Sequence, residues 1–260
     1  MSKPKIVMIG AGNVASHLAP ALSDAGAADF VQVYSRHIES ARELAAKLPG
    51  ASATANLNDI VDDADIYLLS VKDDAIAGIA AALPKGNALV LHTSGSVGVE
   101  ALAPASDRYG VFYPLQTFSK NVDLDMPAVP LFVEGNTPET EAEIRALGEK
   151  VFMKVYHADS EIRKKMHVSA VFACNFTNHL WTIAEKLLQR EGLPFDVLRP
   201  LLEETLRKAL VNSPSASQTG PAVRGDVNII ASHLAQLSDP EKSLYRTLSD
   251  AIMTEKIENL

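Results

Sequence analysis

The sequence predicts an α/β protein: a doubly wound parallel sheet with helices on both faces, followed by an all-helical domain. Three observations carry this reading. Short apolar runs alternate with helix-periodic segments from Lys5 to His92, the pattern of repeated strand–helix–strand units. A glycine-bearing turn, Gly10-Ala11-Gly12, joins the first run to the first helix. Beyond residue 157 the strand-like runs cease and long helical stretches take over.

Residues 5–9 (Lys-Ile-Val-Met-Ile) are a short apolar run ended by glycine, hence a buried strand. Residues 14–25 carry Val14, Leu18, Ala21 and Leu22 at helical spacing. Phe30 to Tyr34 reads as the second strand and 37–48 as the second helix. A weak strand at 51–54, a helical turn at 57–62, a strongly apolar strand at 66–71, a helix at 74–83 and a strand at 88–92 follow. Further strands are expected at 110–113, 130–133 and 151–156, with a helix at 138–150 before the last.

Residues 159–191 contain neither Pro nor Gly and read as one helix, roughly 50 Å long at about 1.5 Å per residue. Val168, Val171, Phe172, Phe176, Leu180 and Trp181 make its middle apolar, so burial is expected there. Gly192-Leu193-Pro194 stops it. Helices are expected at 195–212, 225–237 and 240–257, with a Ser/Pro/Gly-rich loop at 212–225. These readings divide the chain into a nucleotide-binding domain at 1–155 and a helical domain at 156–260, the latter serving substrate binding and dimerisation.

The composition narrows the function classes. The chain has 260 residues, 47% hydrophobic and 22% charged, with a formal net charge of −8. A general nucleic-acid binder needs a positive footprint, and so does a protein held on an anionic membrane surface; neither partner is expected. A single cysteine, Cys174, makes no internal disulfide, which points to a reducing compartment. Residues 1–9 lack the apolar core of a signal peptide, and no stretch reaches the ~18 apolar residues of a membrane span. A soluble cytoplasmic protein is expected.

Gly10-Ala11-Gly12-Asn13-Val14-Ala15 follows a strand and opens a helix. This is the G-x-G-x-x-G/A fingerprint of dinucleotide binding in its required setting. The first glycine permits a tight turn, the second lets the backbone approach a pyrophosphate, and the small third residue lets helix and strand pack closely. The helix N-terminus then offers free N–H groups and partial positive charge. Gly10, Gly12, Asn13 and Val14 are the candidate phosphate cradle.

The second strand ends Val33-Tyr34-Ser35-Arg36, without the carboxylate that holds the ribose 2′-OH of NAD. A guanidinium pairs with a 2′-phosphate through a planar fork, so Arg36, with the hydroxyl of Ser35, favours NADP. His37 is either a further contact or an ordinary surface residue. Ligands of doubly wound sheets sit beyond the carboxyl ends of the strands, which brings Val71 and Lys72 near the cofactor; Asp73 or Asp74 is expected to cap the next helix. By the same geometry His92-Thr93-Ser94-Gly95-Ser96 faces the nicotinamide end, where Ser94 and Ser96 would orient a substrate.

On the long helix Asn175, Asn178, His179 and Thr182 form one polar stripe. It lines either a wet cleft or an inter-helix hydrogen-bond network, the latter possible across a dimer interface. His167 is the candidate general acid/base, since an imidazole exchanges protons near neutral pH. Arg224, in the loop Thr219 to Asp226, either binds a substrate anion or pairs with Asp226 to fix the loop; Asp226 is also a candidate N-cap. Cys174 reads as a core residue. No metal-ligand spacing is present in the sequence, so no metal is expected.

These features together resemble the superfamily of β-hydroxyacid dehydrogenases, 6-phosphogluconate dehydrogenase, ketopantoate reductase and pyrroline-5-carboxylate reductase. Four segments resemble, more narrowly, a Rossmann-like family of NADP oxidoreductases often labelled deazaflavin-dependent: Leu91-His92-Thr93-Ser94-Gly95-Ser96, Tyr113-Pro114-Leu115-Gln116-Thr117-Phe118, Phe172-Ala173-Cys174-Asn175-Phe176 and Thr219-Gly220-Pro221-Ala222-Val223-Arg224-Gly225-Asp226. The resemblance implies an N-terminal Rossmann domain and a C-terminal domain like that of 6-phosphogluconate dehydrogenase. It also implies that Asn175 matches an asparagine facing the nicotinamide in β-hydroxyacid dehydrogenases. Val171 stands where those enzymes carry a lysine general acid. Tyr113-Pro114-Leu115 is similar to the His-Pro-Met turn of prephenate dehydrogenases, with Tyr in place of His.

The function expected is hydride transfer between NADP(H) and a small carbonyl, hydroxy-acid or imine compound, with His167, Asn175 and Ser94 as the catalytic set and Ser96 and Arg224 on the substrate. Two alternatives stand beside it: a non-catalytic NADP(H)-binding sensor module, which the missing lysine favours, and a deazaflavin-dependent NADP reductase. The over-long helix points to a homodimer through the helical domain.

Overall fold

The structure, a computed structural model, describes residues 3–258. It comprises two compact units, one ending at Cys174 and the other beginning at Asn175. The first is an eight-stranded sheet with helices on both faces. Its strands are β1 (Lys5–Ile9), β2 (Asp29–Tyr34), β3 (Ser52–Thr54), β4 (Ile66–Leu69), β5 (Leu89–His92), β6 (Tyr109–Pro114), β7 (Leu131–Gly135) and β8 (Val155–His157). They lie in the order β3-β2-β1-β4-β5-β6-β7-β8. All neighbours are parallel except β6 and β7.

The strands are apolar on both faces, as a sheet covered on both sides requires. Ile6, Met8, Ile66, Leu68, Leu89 and Leu91 enter one core. Val7, Ile9, Tyr67, Leu69 and Val90 enter the other, so successive residues alternate sides. The first core is closed by α1 (Asn13–Asp24), α2 (Ile38–Ala45) and α4 (Pro138–Gly148), through Leu18, Leu22, Leu44 and Ile144. The second is closed by α3 (Ile76–Ala82), through Ile76 and Ala80. This is the doubly wound sheet expected.

From β1 the chain winds one way through β2 and β3 and the other way from β4, so the order switches between β1 and β4 and leaves a crevice beyond their carboxyl ends. At the same end of the sheet, the chain leaves β6 at Leu115 and rejoins β7 after Pro130. The Leu115 N–H donates to the Pro130 carbonyl at 3.0 Å and closes the excursion 115–130 at its base. His17 of α1 meets the same excursion at the Ser119 carbonyl, 2.9 Å away, and its ring lies 5.7 Å from that of Phe118.

Two local readings are corrected. The strand expected at 151–156 forms only at Val155–His157. Phe152 instead donates its N–H back to Gly148 and stacks edgewise on Phe112 at 5.8 Å, so core packing outweighs strand propensity there. The helix expected at 159–191 is α5 (Ser160–Ala170), a π-helical segment Val171–Phe176, and α6 (Thr177–Arg190). A wider π turn displaces the α-helical phase. Beyond it the residues of α6 are rotated relative to the face that an uninterrupted α-helix would present.

The second unit continues with α7 (Arg199–Asn212), α8 (Pro221–Arg224), α9 (Val227–Ala235) and α10 (Glu241–Glu258). Among its described residues only Ala222 and Ser249 are buried. The apolar middle of the long helical stretch, expected to be buried, is exposed: Phe172 at 65%, Val168 at 56% and Trp181 at 42%. Cys174 is exposed as well, not a core residue. None of the helices is long and apolar enough to cross a membrane, among the described residues.

Candidate cofactor and active site

A cleft of about 660 Å³ opens beyond the carboxyl ends of β1, β2, β4, β5 and β6, lined entirely by the first unit. Its floor is the turn after β1. Gly10 has φ +115°, and a Cβ there would stand 2.1 Å from the Ser70 carbonyl oxygen at the end of β4. Only glycine fits. The Gly10 N–H donates to the Tyr34 carbonyl at 2.7 Å, which ties the turn to β2.

Gly12 is the N-cap of α1, in extended conformation with no side-chain cap and no acidic residue in the first turn. A Cβ on Gly12 would meet nothing within 4 Å. The N–H groups that open α1 are therefore left to an external acceptor, and the second glycine keeps their approach clear. Ala15, fully buried, packs α1 close to the sheet. A pyrophosphate fits this cradle by charge and by shape.

Beyond β2, Ser35, Arg36 and His37 form one wall, and beyond β4 Val71 and Lys72 form the other. Arg36 and Lys72 are exposed and make no ion pair among the described residues. The Ser35 hydroxyl accepts the His37 N–H at 3.3 Å. The cap expected of Asp73 or Asp74 does not form. A 3₁₀ turn at Asp73–Ala75 delays α3 to Ile76, so Ala75 occupies the N-cap and neither carboxylate reaches an N–H there.

The inner end is built by Thr93, Ser94 and Gly95 after β5, Tyr113 and Pro114 at the end of β6, Gln116 and Phe118 of the excursion, and His167 on α5. The Ser94 hydroxyl accepts the N–H groups of Ser96 and Val97, both at 3.0 Å, and so caps its own turn. Ser96 does not line the cleft. His92, buried under this turn, accepts the Ser94 N–H on Nδ1 at 3.1 Å. Burial first, and the Arg163 charge second, push its pKa down to about 4. Neutral imidazole is therefore the form that holds the turn.

Arg163 is the largest fully buried side chain. Its Nε donates to the Ser94 carbonyl at 3.2 Å and its Nη2 to the Val97 carbonyl at 2.6 Å. Nη1 pairs with the Glu134 carboxylate at the end of β7. Ser160 donates to the same carboxylate at 2.9 Å and accepts the Val99 N–H. One guanidinium thus fastens the 94–99 turn, β7 and α5 together. Four residues along α5, on the same face, His167 receives its position from it. His167 Nδ1 lies 3.2 Å from the Tyr113 hydroxyl, with Gly95 against both.

Two family models match the sequence. Residues 5–94 match "NADP oxidoreductase coenzyme F420-dependent". Residues 129–252 match a domain of unknown function, DUF2520. A Bacteroides fragilis protein, provisionally described as an NADP oxidoreductase, is 43% identical, with 97% of this chain and 99% of that chain covered and a TM-score of 0.91. The chain belongs to this Rossmann-fold NADP oxidoreductase family. More remote structures share the fold of this family member. An imine reductase of Streptomyces aurantiacus is 17% identical, with 95% of this chain and 93% of that chain covered and a TM-score of 0.65. A reductive aminase of Aspergillus terreus, solved with NADPH and ethyl-5-oxohexanoate, is 17% identical, with 98% and 88% covered and a TM-score of 0.62. No curated protein matches.

In this oxidoreductase family member the cleft brings together Gly10, Gly12, Asn13, Val14, Ser35, Arg36, Val71, Lys72, Ser94 and His167 from the sequence-derived set. Asn175 and Arg224 belong to the second unit. Asn175 is exposed. Arg224 pairs with Asp226 at 2.8 Å, the loop-fixing arrangement. Asp226 is the N-cap residue of α9 by position but makes no side-chain cap, its carboxylate being engaged by Arg224. Sequence reasoning missed Tyr113 as a partner of His167, Gly95 as their neighbour and Arg163 as their support. Tyr113 stood in the sequence at the head of its Tyr-Pro-Leu turn, and Arg163 as a cation one helical turn before His167, but neither position named its partner. Among the described residues no group of His, Cys, Asp and Glu is placed to hold a metal ion.

Proposed function

We propose that the protein is an NADP(H)-dependent oxidoreductase acting on a small carbonyl, hydroxy-acid or imine compound. The observation that carries this is the unpaired Arg36 guanidinium at the tip of β2, beside a glycine cradle with free helix N–H groups. When bound, NADPH supplies the hydride. Gly10, Gly12, Asn13 and Val14 hold its pyrophosphate, Arg36 and Ser35 its 2′-phosphate, and Val71 and Lys72 flank it. His167 holds a proton at the inner end and Ser94 shapes the turn beside it. Asn175 and Arg224 are assigned to the substrate side on the sequence argument alone. The Bacteroides fragilis relative and the 5–94 match support the cofactor class.

Arg36→Ala is expected to weaken NADPH binding by about 1–3 kcal/mol, the scale of hydrogen bonds to a charged group, and to leave NADH binding unchanged. Isothermal calorimetry with both cofactors measures this. Equal losses for the two would mean that Arg36 does not read the 2′-phosphate. NADPH oxidation is then followed with 2-oxo acids, ketones and cyclic imines, and with a deazaflavin in a separate arm. Tight binding without turnover in every arm would favour the sensor reading.

We further infer a homodimer through the helical unit, in a reducing compartment consistent with the single cysteine. On α7 of the helical unit the large apolar residues Leu201, Leu206, Leu210 and Val211 are all exposed, apolar groups of the kind that mark interaction surfaces, and two-fold pairing is the commonest way of covering them. Sedimentation equilibrium is expected to give twice the chain mass of 27.9 kDa. Leu210→Asp should shift the equilibrium toward the monomer. A wild-type protein that sediments as a monomer at micromolar concentration would refute the assembly.

A further inference from the structure

We propose that Tyr113 is the acid that hands a proton to the substrate, that His167 recharges it, and that Gly95 sets the geometry of the pair. This rests on the oxidoreductase reading above and adds a catalytic residue to it.

The two side chains come from different elements, β6 and α5, and meet inside the cleft. Tyr113 Oη lies 3.2 Å from His167 Nδ1. Their rings stand edge to face, with centroids 6.4 Å apart and an interplanar angle of 62°. Tyr113 is only 8% exposed, and that small opening is toward the cleft it lines.

Gly95 supplies a second, independent observation. A Cβ built on it would stand 2.7 Å from Tyr113 Cζ, 2.8 Å from its Oη and 2.9 Å from His167 Nδ1. A single hydrogen atom at this position is what lets the turn press on both partners of one hydrogen bond. The turn itself is held by Arg163, through the Ser94 and Val97 carbonyls. The pair is thus fixed from three sides.

The chemistry balances as follows. A hydride forms a C–H bond at the carbonyl carbon, and the C=O π pair moves to oxygen. That oxygen takes the Tyr113 proton: the phenolic O–H bond breaks and a substrate O–H bond forms. Protonated His167 donates its Nδ1–H to the phenolate, and water returns a proton to the imidazole. The sum is carbonyl, NADPH and one proton giving alcohol and NADP⁺. A neutral imine nitrogen accepts in the same way. A preformed iminium has no lone pair and nothing to receive from this pair.

The groups that face the phenol are consistent with a donor. Burial raises the Tyr113 pKa, the Arg163 charge opposes that rise, and Asp73 adds to it. The phenol therefore stays protonated at neutral pH until the substrate's developing charge draws the proton away.

Tyr113→Phe removes the proton and keeps the ring, and Gly95→Ala forces the pair apart while keeping both groups. Three measurements are made on each: NADPH binding by calorimetry, NADPH oxidation with the substrate panel, and the His167 imidazole titration by NMR. Both variants are expected to bind NADPH within about twofold of wild type. Each should lose turnover by about 100-fold or more, the scale of general acid catalysis, with the loss in kcat rather than KM. The His167 titration should move in both.

Retained turnover in Tyr113→Phe overturns the proposal. So does an unmoved His167 titration in that variant, whatever the activity. Wild-type protein that fails to bind NADPH defeats the oxidoreductase reading instead, and the titration still decides whether the two groups are coupled.

Discussion

Arg163→Ala is expected to lower the unfolding free energy by about 3–5 kcal/mol, the cost of breaking a buried ion pair from one side. The guanidinium is fully buried, and its partner Glu134 exposes only 12% of its side chain. Truncation leaves that carboxylate with the Ser160 hydroxyl and little access to water in place of its counter-charge. It also removes the donors to the Ser94 and Val97 carbonyls, and buried acceptors left without donors add their own desolvation cost. Lysine would not repair the site, because one ammonium cannot reproduce a planar fork that serves three acceptors in different directions. Urea denaturation measures the loss. The double variant Arg163→Met, Glu134→Gln should recover part of it, since no net charge is then left buried. An Arg163→Ala protein that unfolds at the wild-type urea concentration would show that the network contributes nothing to stability.

Gly10→Ala should be the most damaging single methyl group in the sheet unit. Its φ of +115° suits glycine and strains any L side chain, at about 1–3 kcal/mol for the backbone alone. The added Cβ would also stand 2.1 Å from the Ser70 carbonyl oxygen, which belongs to backbone and cannot swing aside. Relieving the overlap means separating β1 from β4 at the crevice. The melting temperature should fall, and calorimetry should detect no NADPH binding. Gly12→Ala is the informative contrast. Its Cβ meets no protein atom within 4 Å, so the fold should melt as wild type while NADPH binding weakens. Equal melting of the two variants would contradict the separate roles of these glycines.

These expectations divide along the line between local and distant interactions. The cofactor end was legible in the sequence because a strand, a turn and a helix that follow one another directly carry its whole logic. Gly10, Gly12 and Ala15 need no distant partner to be recognised, and the missing carboxylate at Ser35-Arg36 is a statement about one strand end. The inner end was not legible in the same way. Tyr113 and His167 meet only when β6 and α5 are folded together, and nothing near either residue announces the other. Glu134 and Arg163 likewise find each other through the sheet. The expectation of one continuous α-helix over 159–191 did not hold, because a π segment at Val171–Phe176 interrupts it. Helical periodicity detects a face, but it cannot detect a change of pitch. Nor could it tell whether an apolar stripe is buried or exposed within the chain.

The excursion between β6 and β7 has a consequence for how this scaffold can diversify. It leaves and re-enters the sheet through one hydrogen-bonded pair, Leu115 and Pro130, while Gln116 and Phe118 within it border the inner end of the cleft. Substitutions or insertions in its exposed part, 119–123, leave the ladder of strands untouched, because lengthening a surface segment costs little, whereas Met126 and Val129 farther along are buried in the core. The strand framework and the phosphate cradle can thus be inherited unchanged while this one stretch is rewritten, giving descendants a route to new chemical tastes without refolding the ancestor.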